Sequence, residues 1–256
     1  MNIGISTSCF YPMKTEDTLS HISDLGFKQI EVFVNAPSES TVTYAKSFRS
    51  AADAAGLQII AFHPFSSFAE TYCLFGAYEQ RRRDFYDIYK GYFEAAATMG
   101  AKTFNFHGCR SDWPIEPALY CEIYYELYRR SQQVGVRFSQ ENVNRHYGGR
   151  VDFIRTMNQQ LKDDVWFTFD VKQAMRSGED PCTMRDVMGQ KLVHFHASDY
   201  RTGVACTLPG QGECNYQAIL NDQLRSDRVG KVIEVYSGDY VREHELRDAA
   251  NFMNKL

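Results

Sequence analysis

Long apolar runs are missing from this 256-residue sequence, and no stretch approaches the roughly 18 residues that a membrane-spanning helix needs. A basic surplus is missing too. Lys and Arg total 28 against 32 Asp and Glu, a formal charge of −4, whereas a phosphate-binding partner normally leaves a basic footprint. No membrane and no nucleic-acid partner are therefore expected. The cysteines (Cys9, Cys73, Cys109, Cys121, Cys182, Cys206 and Cys214) are odd in number and never fall as C-x-x-C. That speaks against a zinc ribbon or a disulfide framework and suits a reducing compartment. The stretch Met1–Thr7 lacks a basic region and a long apolar segment, so no signal peptide is read and a cytoplasmic location is expected. No Pro- or Ser-rich linker divides the chain, which points to one domain over residues 1–256. What is plentiful is aromatic: 18 Phe and 16 Tyr beside 2 Trp, read as a well-filled core.

Glycines mark a hidden repeat. Gly26, Gly56, Gly100, Gly135, Gly189 and Gly230 each close a stretch of helical periodicity and precede a β-rich run by one to three residues. A residue just past a helix often takes positive φ, which glycine adopts without a Cβ clash. In the first unit Thr15 reads as an N-cap, Leu19, Ile22 and Leu25 as one apolar face, and Gly26 as the stop. Strands are expected over Ile3–Thr7, Gln29–Val34, Gln58–His63, Thr103–His107, Arg137–Glu141, Val165–Asp170, Leu192–His196 and Val232–Tyr236. A last amphipathic stretch runs from about Arg242 to Leu256. Eight alternating β and α units at this length predict an α/β fold, a single-domain (β/α)₈ barrel, with a doubly wound open sheet as runner-up.

Six of these strands end in or near a metal-ligating residue type: His63, His107, Glu141, Asp170, His196 and Glu234. In a parallel barrel all strand C-termini share one face, so residues far apart in sequence can converge there. Singly each has a plainer reading, as a packed histidine or a helix-capping aspartate. The plain reading is weakest for Glu141 and Glu234, set in strongly apolar strands where an unpaired carboxylate costs several kcal/mol. A bound cation offsets that cost. Three carboxylates and one imidazole suit one divalent metal ion: Mn²⁺, Mg²⁺, Co²⁺ or Zn²⁺. Around them, Glu31 reads equally as a substrate contact or a buried structural carboxylate. Arg201 could hold a substrate group or pair with Asp199, and Trp113 and Phe10 could wall a sugar face or merely pack. The run Leu208-Pro209-Gly210-Gln211-Gly212-Glu213 carries no Walker or dinucleotide pattern and reads as a tight mouth loop.

Together these residues resemble the xylose isomerase-like TIM barrel superfamily, the sugar-phosphate isomerase/epimerase group, over nearly the whole chain. His196-Ala197-Ser198-Asp199 is similar to its His-x-x-Asp motif, and Leu208–Glu213 to its Leu-Pro-Gly-x-Gly-x loop. The resemblance implies Glu141, Asp170, His196 and Glu234 as ligands of one metal. It also implies Glu141 and Glu234 as the catalytic pair that removes and returns a proton α to a carbonyl. His63, His107, Gln173, Arg201, Glu31 and Trp113 are expected to contact a small sugar or polyol. One departure stands out: where relatives carry Asp-x-x-His, this chain reads Asp170-Val171-Lys172-Gln173.

The leading expectation is thus a metal-dependent sugar isomerase or epimerase. The alternatives are a keto-polyol dehydratase or lyase on the same site, a zinc-dependent phosphodiester hydrolase, and a catalytically silent sugar-binding barrel. A three-metal nuclease is excluded, because the histidine after Asp170 and the Asp-x-His further on that a third zinc needs are both absent. His63 and His107 still allow a second metal sharing Glu141. The sequence leaves the oligomeric state open, a homodimer included.

Overall fold

A computed structural model describes residues 2–256; Met1, the first residue of the expected domain, lies outside them. Eight parallel strands close into a barrel: β1 (Gly4–Ser6), β2 (Gln29–Phe33), β3 (Gln58–His63), β4 (Thr103–Phe106), β5 (Arg137–Glu141), β6 (Trp166–Asp170), β7 (Leu192–Ala197) and, after a small hairpin, β10 (Gly230–Ile233). The hairpin strands are β8 (Asp199–Arg201) and β9 (Val204–Thr207). Around the barrel the order is β1-β10-β7-β6-β5-β4-β3-β2, with helices between successive strands. The (β/α)₈ expectation holds and the open sheet is excluded.

Strand positions agree with the sequence to within three residues at either end, and the differences have causes. The eighth barrel strand starts at Gly230 and ends at Ile233, so Glu234 stands just past it rather than inside. Its N–H still donates to the Ala197 carbonyl at 3.0 Å, which fixes it beside β7. The first helix begins at Thr18 and not after Thr15. Thr15 is buried, and its hydroxyl donates to Glu39 rather than capping. The expected C-terminal helix is present as His244–Lys255.

Glycines do the punctuation, but not all in the same way. Gly100 ends the helix Glu79–Met99 at φ 85°, its N–H returning to the Ala96 and Ala97 carbonyls. Gly230 has another role. It opens β10, and a Cβ there would stand 2.7 Å from the His194 ring nitrogen, so its small size makes room for a histidine inside the barrel.

The two faces of the strands differ sharply in chemistry. One face carries Phe104, Phe106, Phe138, Phe167, Phe169 and Phe195, all buried in the main hydrophobic cluster with the helices. Phe138 is central: its ring lies 4.7 Å from Phe106, 5.0 Å from Tyr124 and 5.6 Å from Phe93, centroid to centroid. The other face carries Glu31, Asn105, Ser139, Thr168, His194 and His196, which bond to one another across the barrel. Side chains alternate with period two along a strand, so the same eight strands build both environments. Among the described residues no helix is long and apolar enough to cross a membrane.

Candidate functional site

Parallel register brings the acidic strand ends together. Asp170 pairs with His196 across β6 and β7, and Glu141 pairs with Thr168 across β5 and β6. Asn142 clamps this edge by accepting the Asp170 N–H at 2.7 Å and donating to its carbonyl at 2.9 Å. Asp170 also caps the following helix: its Oδ1 accepts the Gln173 N–H at 3.1 Å. The capping expected of an aspartate in this place is real, and it uses only one of the two oxygens.

The geometric centre is His196. Its Nδ1 faces three carboxylates, 3.2 Å from Glu234 Oε2, 3.6 Å from Glu141 Oε1 and 3.7 Å from Asp170 Oδ2. On the other side of the ring, Nε2 lies 3.0 Å from Glu31 Oε2. Glu31 also takes His194 Nε2 at 2.9 Å and the Asn105 amide at 2.6 Å. Both histidines stand on β7 two residues apart, so one buried carboxylate orients both rings. A carboxylate behind an imidazole is the usual way of fixing a metal-binding histidine.

Charge follows this geometry. Burial disfavours the ionised forms of Glu31 and Glu141, but His196 and its neighbouring histidines more than reverse that, and both acids sit well below the usual carboxylate range. Glu234 is likewise held low against its burial, first by His196 and then by Lys172. His196 is raised well above the ordinary imidazole value, burial being outweighed by Glu234, Glu31 and Glu141. Carboxylates are in excess here. Glu31, Glu141, Asp170 and Glu234 face one ammonium, that of Lys172, and a cluster of imidazoles.

Lys172 is the residue that sequence reasoning missed. It is 2 % exposed, and its Nζ lies 2.5 Å from Asp170 Oδ2 and 2.6 Å from Glu234 Oε2. A signal was available, since lysine two residues past a strand-end aspartate starts a helix over the barrel mouth. The ammonium is raised well above its ordinary value, burial being overcome by Asp170 and Glu234.

Among the described residues, three groups of side chains are compact enough to hold an ion. Glu141, Asp170, His196 and Glu234 form one, with ligand atoms within 4.8 Å of one another. His63, His107 and Glu141 form a second; Glu31, His63, His196 and Glu234 form a third. The first group fits a divalent metal by an independent sign: His196 Nδ1, which faces its three carboxylates, is buried and has no hydrogen-bond partner, and Glu141 Oε2, equally unpartnered, faces His107 and His63 of the second group at 3.3 and 3.8 Å. Buried polar atoms without partners are costly, and a cation in the first group would satisfy His196 Nδ1.

A cavity of about 400 Å³ opens over these groups, lined by His63, His107, Glu141, Lys172, Gln173 and Glu234. Ser8, Tyr11, Phe33, Asn35 and the stretch from Val235 to Ser237 complete its lining. His63 Nε2 and His107 Nε2 are 2.8 Å apart, one donating and the other accepting. Gln173 accepts the Asn144 N–H at 3.1 Å and so turns its amide toward the cavity rim. Gln140, behind the wall, ties the Phe106 and His107 carbonyls to Tyr120 and steadies the end of β4.

Other expected contacts are placed elsewhere. Arg201 is exposed on the β8–β9 hairpin and does not line the cavity. Nor does it pair with Asp199, whose carboxylate accepts the N–H groups of Tyr200, Gly210 and Cys214. That explains the Pro-Gly-x-Gly loop: a Cβ at Gly212 would stand 2.3 Å from Asp199 Oδ1, so the loop folds around a buried aspartate. Trp113 packs at 5.0 Å on Tyr72 and donates its indole N–H to the Phe75 carbonyl, outside the cavity lining. Phe10 is buried, and its neighbour Tyr11 walls the cavity in its place. Glu31 lies behind the histidines, with Oε2 shared by His194, His196 and Asn105, and does not line the cavity.

A family model described as xylose isomerase-like TIM barrel matches residues 19–256. The chain belongs to the xylose isomerase-like TIM barrel family. No curated protein sequence matches it. Among solved structures this family member resembles a D-psicose 3-epimerase crystallised in the presence of D-fructose (18% identity, TM-score 0.77, covering 100% of this chain and 99% of that one). It also resembles 3-keto-D-glucoside 4-epimerase YcjR from E. coli (17%, TM-score 0.78, 100% of both chains) and a D-tagatose 3-epimerase-like protein (16%, TM-score 0.78, 100% and 96%). At these identities the likeness is one of fold, and it agrees with the resemblance read from His196–Asp199 and Leu208–Glu213.

Proposed function

We propose that this protein is a divalent-metal-dependent isomerase or epimerase that moves a proton α to a carbonyl on a small, uncharged polyhydroxylated substrate. The observation that carries this reading is the convergence of Glu141 and Glu234 on His196 Nδ1 at the wall of one cavity. Two carboxylates from non-adjacent strands, β5 and the end of β10, can reach a substrate from two directions.

Glu141, Asp170, His196 and Glu234 would hold the metal. When bound, a divalent ion polarises a carbonyl and lowers the energy of the enediolate that proton removal leaves. Every other part of the chemistry falls to side chains. Glu141 is ionised and, unlike Glu234, is not bound to the Lys172 ammonium, so it is the freer of the two to act as base. Glu234, which meets the same His196 Nδ1 from the end of β10, returns the proton. Delivery to the same carbon inverts it; delivery to its neighbour exchanges aldose and ketose. His63, His107 and Gln173 line the cavity with groups that donate to or accept from hydroxyls, and Tyr11, Phe33 and Tyr236 offer rings against which a sugar can lie. No arginine lines it, and its one ammonium is already shared by two carboxylates, which disfavours a phosphorylated substrate. Family membership and the epimerase names among the structural neighbours support the reading.

The test is deuterium exchange. The protein with Mn²⁺ is incubated in D₂O with D-psicose, D-tagatose, D-fructose and their 6-phosphates. Label is expected at the carbon next to the carbonyl of a non-phosphorylated ketose. No exchange on any of them counts against the reading, and exchange on the phosphates alone overturns its uncharged-substrate clause.

A further inference from the structure

We infer that Lys172 is a built-in competitor of the metal: its ammonium occupies the two ligand oxygens the ion needs, and it must leave them for the ion to bind. The inference rests on the metal reading given above and adds a residue that sets the affinity of that site.

The case is geometric. Asp170 has a single oxygen to offer, because Oδ1 is committed to the Gln173 N–H at the helix start. The remaining Oδ2 is the one on Lys172 Nζ, at 2.5 Å. Glu234 faces His196 Nδ1 with Oε2, and that same atom is 2.6 Å from the ammonium. Lys172 therefore holds two of the four ligand atoms, the two carboxylate oxygens that Asp170 and Glu234 turn toward His196 Nδ1. An ion that took both oxygens as ligands would stand beside a like charge already bound to them. The side chain cannot be ignored as a solvated surface lysine, since it is buried to 2 % exposure inside the cavity wall. In the ion's absence the ammonium balances two carboxylates that burial would otherwise penalise. Lys172 thus gives the metal-free fold its stability and takes that stability from metal binding.

This leads to an outcome opposite to that of ordinary damage. Lys172→Met and Lys172→Gln, the latter keeping a neutral hydrogen-bond donor, are titrated calorimetrically with Mn²⁺ beside the unaltered protein, and all three are melted with and without Mn²⁺. Both variants are expected to bind Mn²⁺ at least about tenfold more tightly and to gain more Tm on its addition. A lysine that merely supports the fold predicts weaker binding in the variants. Equal or weaker Mn²⁺ binding in a variant that melts cooperatively overturns the inference while leaving the metal reading intact. Failure of the unaltered protein and both variants to bind Mn²⁺ overturns the metal reading and the inference with it. If one variant does not fold, the other and its melt with Mn²⁺ decide the matter.

Discussion

The two faces of the same eight strands obey different rules. Outward residues such as Phe104, Phe138 and Phe169 meet helices and stack on other aromatics. Inward residues such as Glu31, Asn105, Thr168 and His196 bond to other polar side chains, in a hydrogen-bonded column that ends at the cavity. A barrel interior is usually filled by branched apolar side chains. Among the described residues, a buried apolar group set apart from the main core is small: Ile60, Ala61 and Val232. The outer layer supplies stability through buried area, while the inner column gives up that gain to hold charge in place. A change on one face should therefore register in a different measurement from a change on the other.

The largest expected effect is on the inner face. Glu141→Gln keeps shape and burial but removes the base, and the rate of α-proton exchange should fall by roughly 10²- to 10⁴-fold. Its Tm should fall too, because His196 and His107 favour the ionised carboxylate in the fold, so exchange is compared per folded molecule. Retention of more than a tenth of the exchange rate would remove Glu141 from the base role. The reciprocal change on the outer face is Phe138→Ala. Its ring contacts Phe106, Tyr124 and Phe93, and the loss should cost about 3–5 kcal/mol in urea unfolding. Exchange per folded molecule should stay within a few-fold of the original. A Phe138→Ala protein that is stable but inactive would erase the distinction between the faces.

The fold was legible because it rests on patterns that repeat. Glycine stops recur six times and β-rich runs eight, and a closed parallel barrel makes strand ends converge whatever lies between them. Glu141, Asp170, His196 and Glu234 could be picked out for that reason. What could not be read was anything set by side-chain direction across the barrel. Glu31 reads from sequence equally as a substrate contact or a buried acid, and nothing in its strand shows that its carboxylate lies between the rings of His194 and His196. Lys172 looked like an ordinary residue of a helix start, while attention fell on the amide beside it. Arg201 and Trp113 belong to loops, whose paths depend on local bonds such as those around Asp199. No periodicity encodes them.

A third measurement tests a buried acid between the two regions. Glu70 is fully buried, accepts the Tyr89 hydroxyl and the Gly108 N–H, and has no cationic partner of its own. Burial pushes its carboxyl up to about 7, with His107, Tyr89 and Gly108 pulling the other way. The folded protein therefore holds a proton that the unfolded chain has already released between pH 4.5 and 7. Stability from this group is present in full below pH 4.5 and is lost as pH rises through 7, by about 3 kcal/mol in all. Glu70→Gln resembles the protonated form, so its Tm advantage over the unaltered protein should appear above pH 7 and vanish near pH 4.5. A constant difference across that range would show that the carboxyl ionises normally.

The smallest effect should come from Arg201, and it bears on how far the inner column extends. The hairpin that carries it is anchored through Asp199, while the guanidinium itself is exposed and outside the cavity lining. Arg201→Ala should change stability by no more than about 0.5 kcal/mol and kcat/KM by no more than about twofold. Asp199→Ala should do more, because it releases three backbone N–H groups at the barrel mouth. If Arg201→Ala instead raises KM tenfold with kcat unchanged, the arginine contributes binding that ground state and transition state share. That result would mean the β8–β9 hairpin folds over the substrate, and that the site reaches past the strand ends that define it here.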